Sequence, residues 1–349
     1  MTRFEHEAGA FRVSFGAGDA RERIRAELDL LGARRILLIA SERDESTVAR
    51  IAADVADRVV ARFSAVRRHV PREVGEAAVR AATDHGADAV LSIGGGSTTG
   101  TAKVVARDTG LPIVAVPTTY AGSEMTPVWG STIEGVKVTG RDPRTQPRAV
   151  VYDPDLLRSL PRATAGSSAV NALAHCVEAV WSLRADPLAR AAGVEGARSI
   201  ARGLGALAGS GPEAAVEDLL TGSMLGGRAF AAAGSGLHHK ICHALGGAFD
   251  LPHAETHAVI LPHVVAFTSP AAPEASGLLA QALGAATAPE GLDAAVTAAG
   301  TPRSLAAIGL GRDQLDEAVR VVRELAPLAA PRPADGAALE SIVRAASGW

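Results

Sequence analysis

Short runs rich in β-branched residues alternate with longer amphipathic stretches over about the first 150 residues, and this alternation constrains the fold more than any other sequence feature. Strands that alternate with helices form βαβ units, whose strands lie parallel in one sheet. The stretches between the runs carry apolar residues three and four positions apart, which is typical of helices packed on a sheet. The predicted strands are residues 35–40, 58–63, 89–93 and 113–116, and the predicted helices are residues 19–31, 46–57, 71–85 and 97–108. The sequence therefore predicts a doubly wound, Rossmann-like α/β domain with a parallel sheet over residues 1–153.

The second part of the chain, residues 154–349, has helical periodicity and no convincing alternating strand. Its segments rich in Ala and Leu are separated by Gly and Pro, which end helices. The predicted helices are residues 163–183, 187–207, 213–233 and 237–248, with several more after residue 273. An all-α second domain is therefore expected.

The charge balance argues against a nucleic-acid or membrane partner. The sequence has 35 Lys and Arg residues against 38 Asp and Glu residues, a formal net charge of −3. No window approaches the roughly 18 consecutive apolar residues of a membrane span, and no signal peptide is apparent. Cys176 and Cys242 are the only cysteines, too few for a disulfide framework. We expect a cytoplasmic protein that acts on a small molecule.

A glycine-rich segment, GGGSTTGTAK (residues 94–103), follows a predicted strand and opens a predicted helix. Glycines let the backbone approach a pyrophosphate, and the first N–H groups of the helix attract its charge. The pattern is neither G-x-G-x-x-G nor a P-loop, and a tight turn that needs Gly for backbone reasons alone is the alternative. The candidate cofactor-binding residues are Gly94, Gly95, Gly96, Ser97 and Thr98.

A second polar loop, PTTYAGSE (residues 117–124), follows the next predicted strand. Open α/β sheets bind ligands at the carboxyl ends of their strands, so this loop and the glycine-rich segment are expected at one edge. Thr118 and Thr119 are predicted to bind the cofactor and Tyr120 to contact the substrate. A hydroxyl-rich turn without a ligand is the alternative.

Five of the ten histidines, His238, His239, His243, His253 and His257, fall within twenty residues. His239 and His243 are four residues apart on a predicted helix and share a face, which is the spacing of metal ligands or of a joint acid/base surface. His175, with Asn171 four residues before it, lies on another predicted helix. Two such faces turned toward each other would form a pocket. An isolated helical His is more often packed or exposed than functional, but a cluster indicates an anion or a metal.

The chain resembles the group III, iron-containing type of alcohol dehydrogenase in segments that follow one another in this order: GGGSTTGTAK, PTTYAGSEMTP, YDPDLLRSLP with NALAHCVEA, and HHKICHALGGAFDLPHAETHAVILPH. Within that superfamily it is most similar to the maleylacetate reductases. These enzymes reduce 2-maleylacetate to 3-oxoadipate with NADH or NADPH in the degradation of resorcinol, hydroxyquinol and chloroaromatic compounds. The resemblance implies an N-terminal dinucleotide domain, a helical C-terminal domain, a site in the cleft between them, and a homodimer.

The resemblance also bears on the metal. Metal-dependent relatives hold iron or zinc with one Asp and three His, at positions that are Asn171, His175, His239 and His253 here. A neutral amide contributes no charge to offset a divalent ion, so it binds the ion less well than a carboxylate. Gly100 likewise stands where these relatives have Asp in the phosphate motif. The resemblance therefore implies a metal-independent enzyme.

The cofactor choice stays open. Ser41 stands after the first predicted strand, where NAD-selective relatives place an Asp for the ribose hydroxyls, and Arg43 follows it. Ser41 would not repel a 2′-phosphate and Arg43 would attract one. Both NADH and NADPH are therefore expected to bind.

Reduction of an activated C=C leaves negative charge on the ketone oxygen as an enolate, and a site without metal must aim hydrogen-bond donors at that oxygen. We expect His243 to donate the proton, and His175, His239 and His253 to form a cationic wall for the enolate and the two carboxylates. Asn171, Tyr120, Lys240 and His257 are the candidate contacts of this dicarboxylate substrate. The alternatives are a metal-dependent alcohol or polyol dehydrogenase, a lyase like 3-dehydroquinate synthase, and a nucleotide-binding regulatory protein without catalysis.

Overall fold

The computed structural model describes residues 4, 6, 9–134 and 136–349. The described residues divide into two compact units, 9–160 (the α/β unit) and 161–349 (the helical unit), and Phe4 and His6 belong to the helical unit. The predicted boundary after residue 153 lies slightly earlier and stays a prediction. None of the described helices combines the length and hydropathy that a membrane crossing requires.

The α/β unit is built on a parallel sheet of six strands and a separate antiparallel pair. In chain order the strands are β1 (Arg12–Phe15), β2 (Ile36–Ile39), β3 (Val59–Phe63), β4 (Ala89–Gly94), β5 (Ile113–Pro117), β6 (Val128–Ile133), β7 (Val136–Arg141) and β8 (Ala149–Tyr152). The parallel sheet has the order β1-β8-β5-β4-β2-β3, and β6 pairs with β7. The carboxyl ends of β4 and β5, which precede the two predicted ligand loops, are therefore neighbours.

Helices cover both faces of this sheet. They are α1 (Ala20–Leu30), α2 (Glu45–Ile51), α3 (Arg72–Asp84) and α4 (Gly96–Thr109). Successive side chains of a strand point to opposite faces. Accordingly Leu38 of β2 packs in one core with α1 and α2, whereas Leu37 and Ile39 pack in the other core with α3 and α4. The predicted doubly wound α/β fold is confirmed.

The helical unit consists of α5 (Arg162–Trp181), α6 (Pro187–Gly209), α7 (Pro212–Ala233), α8 (Leu237–Phe249), α9 (His253–Thr268), α10 (Pro273–Leu283), α11 (Ala288–Ala299), α12 (Leu315–Arg323) and α13 (Gly336–Ser347). α5 is buried from Ala165 to Trp181 and packs against α6, α7 and α9. Small residues allow the close approach, because a Cβ at Gly196 or Gly226 would lie 2.7 or 2.8 Å from Cys176 Sγ. The prediction of an all-α second domain is confirmed.

Some elements differ from the prediction. The helix expected over residues 46–57 ends at Ile51, and a 3₁₀ segment, Ala53–Arg58, continues it. β1, β8 and the β6–β7 pair were not predicted. β1 and β8 have four residues each, too few for a recognisable alternation, and β7 is mostly exposed.

Candidate active site

The turn between β4 and α4 has the geometry of a phosphate cradle. Gly94 has φ +152°, where L side chains are rare, and a Cβ there would lie 2.4 Å from Thr98 Oγ1. A Cβ at Gly95 would lie 3.0 Å from Thr119 Cγ2. Gly95 is the N-cap residue of α4 and has no side chain that could cap the helix. The first N–H groups of the helix are therefore available to a ligand. The space kept free of Cβ atoms and the helix start fit the pyrophosphate of a dinucleotide.

The second loop lies beside this turn. Thr118 N donates to Gly94 O at 3.1 Å, and a Cβ at Gly96 would lie 3.3 Å from the Cβ of Ala121. Tyr120 is fully buried, and among the described residues its hydroxyl has no hydrogen-bond partner. Burial raises the pKa of Tyr120 well above its usual range, so the phenol keeps its proton. The expected closeness of the two loops is therefore observed.

The third expected cofactor contact lies after β2. Ser41 is half-buried, and its Oγ donates to Asp44 Oδ2 at 2.5 Å. Arg43 between them is exposed. The sequence reasoning considered Ser41 and Arg43 but missed the carboxylate of Asp44, which Ser41 holds close to the end of the strand.

In the helical unit, three helices bring six histidines together. This imidazole cluster consists of His175 from α5, His238, His239 and His243 from α8, and His253 and His257 from α9. The ring centroids of His175 and His239 are 5.0 Å apart with the rings stacked, those of His239 and His257 are 4.7 Å apart, and those of His253 and His257 are 4.5 Å apart. Histidines far apart in sequence thus share one site, while their individual roles stay predictions.

Glu178 orients the cluster and was missed by the sequence reasoning. It lies on α5, one turn after His175, and is 1% exposed. Its Oε2 accepts hydrogen bonds from Gly236 N at 2.9 Å and from His239 Nδ1 at 2.6 Å, and its Oε1 accepts one from His238 N at 2.7 Å. Glu178 therefore caps α8 from another helix and fixes the ring of His239. The i, i+3 spacing from His175 was the only sequence signal.

A second buried pair lies within the cluster. His238 Nε2 and His257 Nδ1 are 2.8 Å apart, and both residues are fully buried. Among the described residues, the Nε2 atoms of His239 and His257 are buried without a hydrogen-bond partner. Buried polar atoms are nearly always satisfied, so these two nitrogens are candidates to contact a ligand.

The buried imidazoles are neutral near pH 7. Burial lowers the pKa of His238 and of His239 to about 3 and that of His257 well below its usual range, and for His238 and His257 neighbouring imidazoles add to the effect. Burial also raises the pKa of Glu178, which its backbone donors and His238 oppose. A cationic wall was expected to include His239, and burial disfavours the imidazolium at this residue.

The resemblance places a metal at Asn171, His175, His239 and His253, and the described histidines that lie close enough together to hold an ion form different sets. Among the described residues, two imidazole groups bring one nitrogen of each ring to within 4.8 Å of the others: His238, His239 and His257, and His243, His253 and His257. The set His175, His239 and His253 is not one of them. Asn171, the only asparagine in the sequence, is 5% exposed on α5 and offers an amide in place of a carboxylate.

The remaining candidate, Lys240, lies on α8 between two cluster histidines, but its side chain is exposed. Successive residues of a helix point about 100° apart, so Lys240 does not share the face of His239. Its role as a substrate contact stays a prediction.

Known proteins match both units. The iron-containing alcohol dehydrogenase family matches residues 11–154, and the C-terminal part of the Fe-containing alcohol dehydrogenase family matches residues 165–347. A maleylacetate reductase of Burkholderia cepacia is 42% identical over 344 residues, which cover 98% of this chain and 97% of that protein.

Solved structures match over the same extent. The maleylacetate reductase of Agrobacterium tumefaciens has a TM-score of 0.91 and 38% identity and covers 99% of both chains. An iron-containing alcohol dehydrogenase of Corynebacterium glutamicum has a TM-score of 0.93 and 40% identity, covering 99% of this chain and 97% of its own.

Proposed function

Because the chain belongs to the iron-containing alcohol dehydrogenase family, we propose that it is a maleylacetate reductase, which uses NADH or NADPH to reduce the C=C bond of 2-maleylacetate to 3-oxoadipate. Identity of 42% to the Burkholderia enzyme over nearly the full length supports this assignment. The observation that carries it is that Asn171, buried on α5 four residues before His175 of the imidazole cluster, stands where the resemblance places the carboxylate of the metal set.

The phosphate cradle and its neighbouring loop are proposed to bind the cofactor. NADH or NADPH supplies a hydride to the alkene carbon β to the ketone. The backbone N–H groups at the start of α4 receive the pyrophosphate, and the side chains of Ser97, Thr98, Thr118 and Thr119 donate to its oxygens. Ser41, whose Oγ donates a hydrogen bond to Asp44 Oδ2, is proposed to contact the ribose.

Neutral imidazoles are proposed to stabilise the enolate. His239 donates a hydrogen bond from Nδ1–H to Glu178, which leaves a lone pair on Nε2, so this atom accepts hydrogen bonds and the stabilising donor is a different histidine. For His257 the opposite tautomer is proposed: His238 Nε2–H donates a hydrogen bond to His257 Nδ1, so His257 carries its proton on Nε2 and donates a hydrogen bond from this N–H to the enolate oxygen. A neutral imidazole serves as such an electrophile in triosephosphate isomerase, where charge also develops on a carbonyl oxygen.

His243 is proposed to deliver the proton to the carbon next to the ketone. It is half-buried, in contrast to the fully buried His238 and His257, so it can recover a proton from water. His175, His253, Asn171 and Lys240 of the helical unit are proposed to contact the two carboxylates, and the substrate contact expected at Tyr120 stays a prediction. We infer a homodimer, as the resemblance implies, and from the cysteine usage a cytoplasmic protein in which the buried thiols of Cys176 and Cys242 stay reduced.

A steady-state assay with 2-maleylacetate and NADH or NADPH tests the function. We expect oxidation of the cofactor with formation of 3-oxoadipate in equal amount, at a rate that a metal chelator leaves unchanged. Protein that binds NADH but does not oxidise it with 2-maleylacetate would overturn the assignment.

A metal-dependent alcohol dehydrogenase is the second candidate, and one observation favours it. An imidazole whose Nδ1–H is held by a carboxylate, as in His239 and Glu178, is the usual arrangement of a metal ligand. Metal analysis separates the two functions: a stoichiometric metal ion whose removal abolishes oxidation of alcohols by NAD⁺ would establish this candidate in place of the reductase.

A further inference from the structure

Lys103 on α4 is a buried cation that the proposed reaction does not use. Its side chain is 1% exposed, and its Nζ donates to the carbonyl oxygens of Ser123 at 2.6 Å, Thr126 at 2.8 Å and Val128 at 2.7 Å, and lies 3.0 Å from Thr126 Oγ1. An ammonium group is expensive to bury unless all its N–H groups have acceptors. Burial lowers the pKa of Lys103 to about 7, and nearby Glu124 opposes this shift.

The segment that Lys103 holds is also fixed to the sheet. Glu124 is 1% exposed, and its Oε1 accepts a hydrogen bond from the hydroxyl of Tyr152 on β8 at 2.6 Å. Its carbonyl oxygen accepts one from Gln146 Nε2 at 3.4 Å. Residues 123–128 are therefore held between α4 on one side and β8 on the other, with few degrees of freedom left.

The same segment continues directly from the second loop. Thr119 lies against Gly95, and Ala121 lies against Gly96, so residues 118–122 border the phosphate cradle. Lys103 stands two turns further along the helix that begins at this cradle. The ammonium group of Lys103 thus connects α4, which starts at the phosphate cradle, to residues 123–128, which follow the second loop.

We propose that Lys103 is a positioning residue for the nicotinamide dinucleotide, because it keeps the second loop in register with the phosphate cradle. This inference rests on the proposed use of NADH or NADPH. Lys103 itself does not contact the cofactor. Its loss lets residues 118–128 shift relative to α4, which moves Thr118 and Thr119 from the phosphates, and a displacement of about 1 Å in such a group lowers binding or rate roughly 100-fold in severe cases.

The test compares Lys103→Met with Lys137→Met. Lys137 of β7 is a matched control, because its Nζ also donates to a backbone carbonyl, that of His69 at 3.1 Å, and burial lowers its pKa to about 8. The Kd of NADH is measured by fluorescence titration, alongside kcat and the KM for 2-maleylacetate. We expect Lys103→Met to raise the Kd of NADH about tenfold or more, with kcat at saturating NADH changed less than about threefold. Lys137→Met is expected to leave the Kd unchanged.

A milder variant covers the case in which Lys103→Met does not fold. Thr126→Val removes one acceptor of Nζ and keeps the carbonyl bonds, so it should fold and raise the Kd of NADH about twofold to fivefold. A folded variant of either kind with the wild-type Kd overturns the positioning role alone. Wild-type protein that binds NADH without reducing 2-maleylacetate overturns the proposed function alone, and wild-type protein that binds neither NADH nor NADPH overturns both.

Discussion

The α/β unit and the helical unit build their candidate sites in opposite ways. The cradle after β4 is made of backbone from one short segment, and its buried cation, Lys103, has its acceptors within the protein. The imidazole cluster is made of side chains from three helices, and two of its buried nitrogens, on His239 and His257, have no partner among the described residues. A site made of backbone suits the pyrophosphate, a group that many enzymes bind. Buried nitrogen atoms without a hydrogen-bond partner instead indicate where the reacting substrate binds.

The largest expected effect is a loss of turnover in the helical unit without a loss of cofactor binding at the phosphate cradle. His243→Ala removes the proposed proton donor, and loss of a general acid typically lowers the rate about 10²–10⁴-fold. We expect that loss in kcat, with the Kd of NADH unchanged in a fluorescence titration. A variant that keeps its turnover would assign the proton to another group of the cluster.

Glu178→Gln sharpens the difference between the two sites, because Glu178 touches only the helical one. The amide cannot accept from His239 Nδ1, Gly236 N and His238 N together, so the His239 ring loses its fixed tautomer. We expect kcat/KM for 2-maleylacetate to fall about 10–100-fold and the free energy of unfolding to fall by about 1–3 kcal/mol.

The matched control for this variant is Glu195→Gln, which changes a carboxylate on the same unit that pairs with Arg198. It should leave both quantities near their wild-type values. Equal losses in the two variants would mean that Glu178 acts only through general stability.

Acid should destabilise the helical unit, since its neutral histidines become charged when it unfolds. The pKa of His238 and of His239 is lowered to about 3 in the folded protein, and that of His257 is also lowered, from an ordinary value near 6.5. Between these values the unfolded state binds protons that the folded state does not. Stability is therefore present above about pH 6.5 and is lost as the pH falls, by roughly 1.4 kcal/mol per pH unit for each histidine. The raised pKa of Glu178 acts in the opposite direction but is a single group.

The measurement is the free energy of unfolding by urea between pH 7 and pH 5. His257→Asn should reduce the slope, while His85→Gln, a change at an exposed residue after α3, should keep it. A flat profile for the wild-type protein would show that these imidazoles bind protons equally in the folded and unfolded states, which contradicts the lowered pKa values.

The fold and the cradle were predictable because their signals are local. The strands β2, β4 and β5 are near-continuous apolar runs, as expected of a parallel sheet covered on both faces, and the glycines follow β4 directly. β1 was not recognisable, because two of its apolar side chains, Val13 and Phe15, are exposed. The β6–β7 pair was missed for a similar reason, since β7 carries Val136 and Val138 on its exposed side.

The imidazole cluster was only half predictable. Spacing along α8 pairs His239 with His243, but nothing local indicates that His257 lies between His238, His239 and His253. Burial was also invisible in the sequence, so the neutral state of His239 could not be anticipated. Glu178 and Asp44 each carry one carboxylate among many, and only the fold shows which backbone or hydroxyl group each one meets.

Asn171→Asp tests whether the site in the helical unit binds a metal ion once the Asp of the metal-dependent relatives is restored. A carboxylate at this buried position would repel the carboxylates of the substrate and attract a divalent cation. We expect the KM for 2-maleylacetate to rise about threefold to tenfold and the protein to take up some zinc or iron. Asn171→Ala should change the KM less and take up no metal. An unchanged KM without metal uptake in Asn171→Asp would show that this residue does not face the substrate.

The smallest expected effect concerns the α/β unit and its cofactor choice. Asp44 accepts a hydrogen bond from Ser41 just after β2, where a 2′-phosphate would meet its negative charge. Asp44→Asn removes this charge and leaves Arg43, so the ratio of kcat/KM for NADPH to that for NADH should rise about twofold to fivefold, the size of an exposed charge interaction.

Glu45→Gln is the control, because Glu45 is a neighbouring exposed carboxylate that pairs with Arg62 at 3.2 Å. The shift should also shrink at high salt, since exposed charges are screened. If both variants change the ratio equally, the effect comes from net charge, and Asp44 has no specific place beside the ribose.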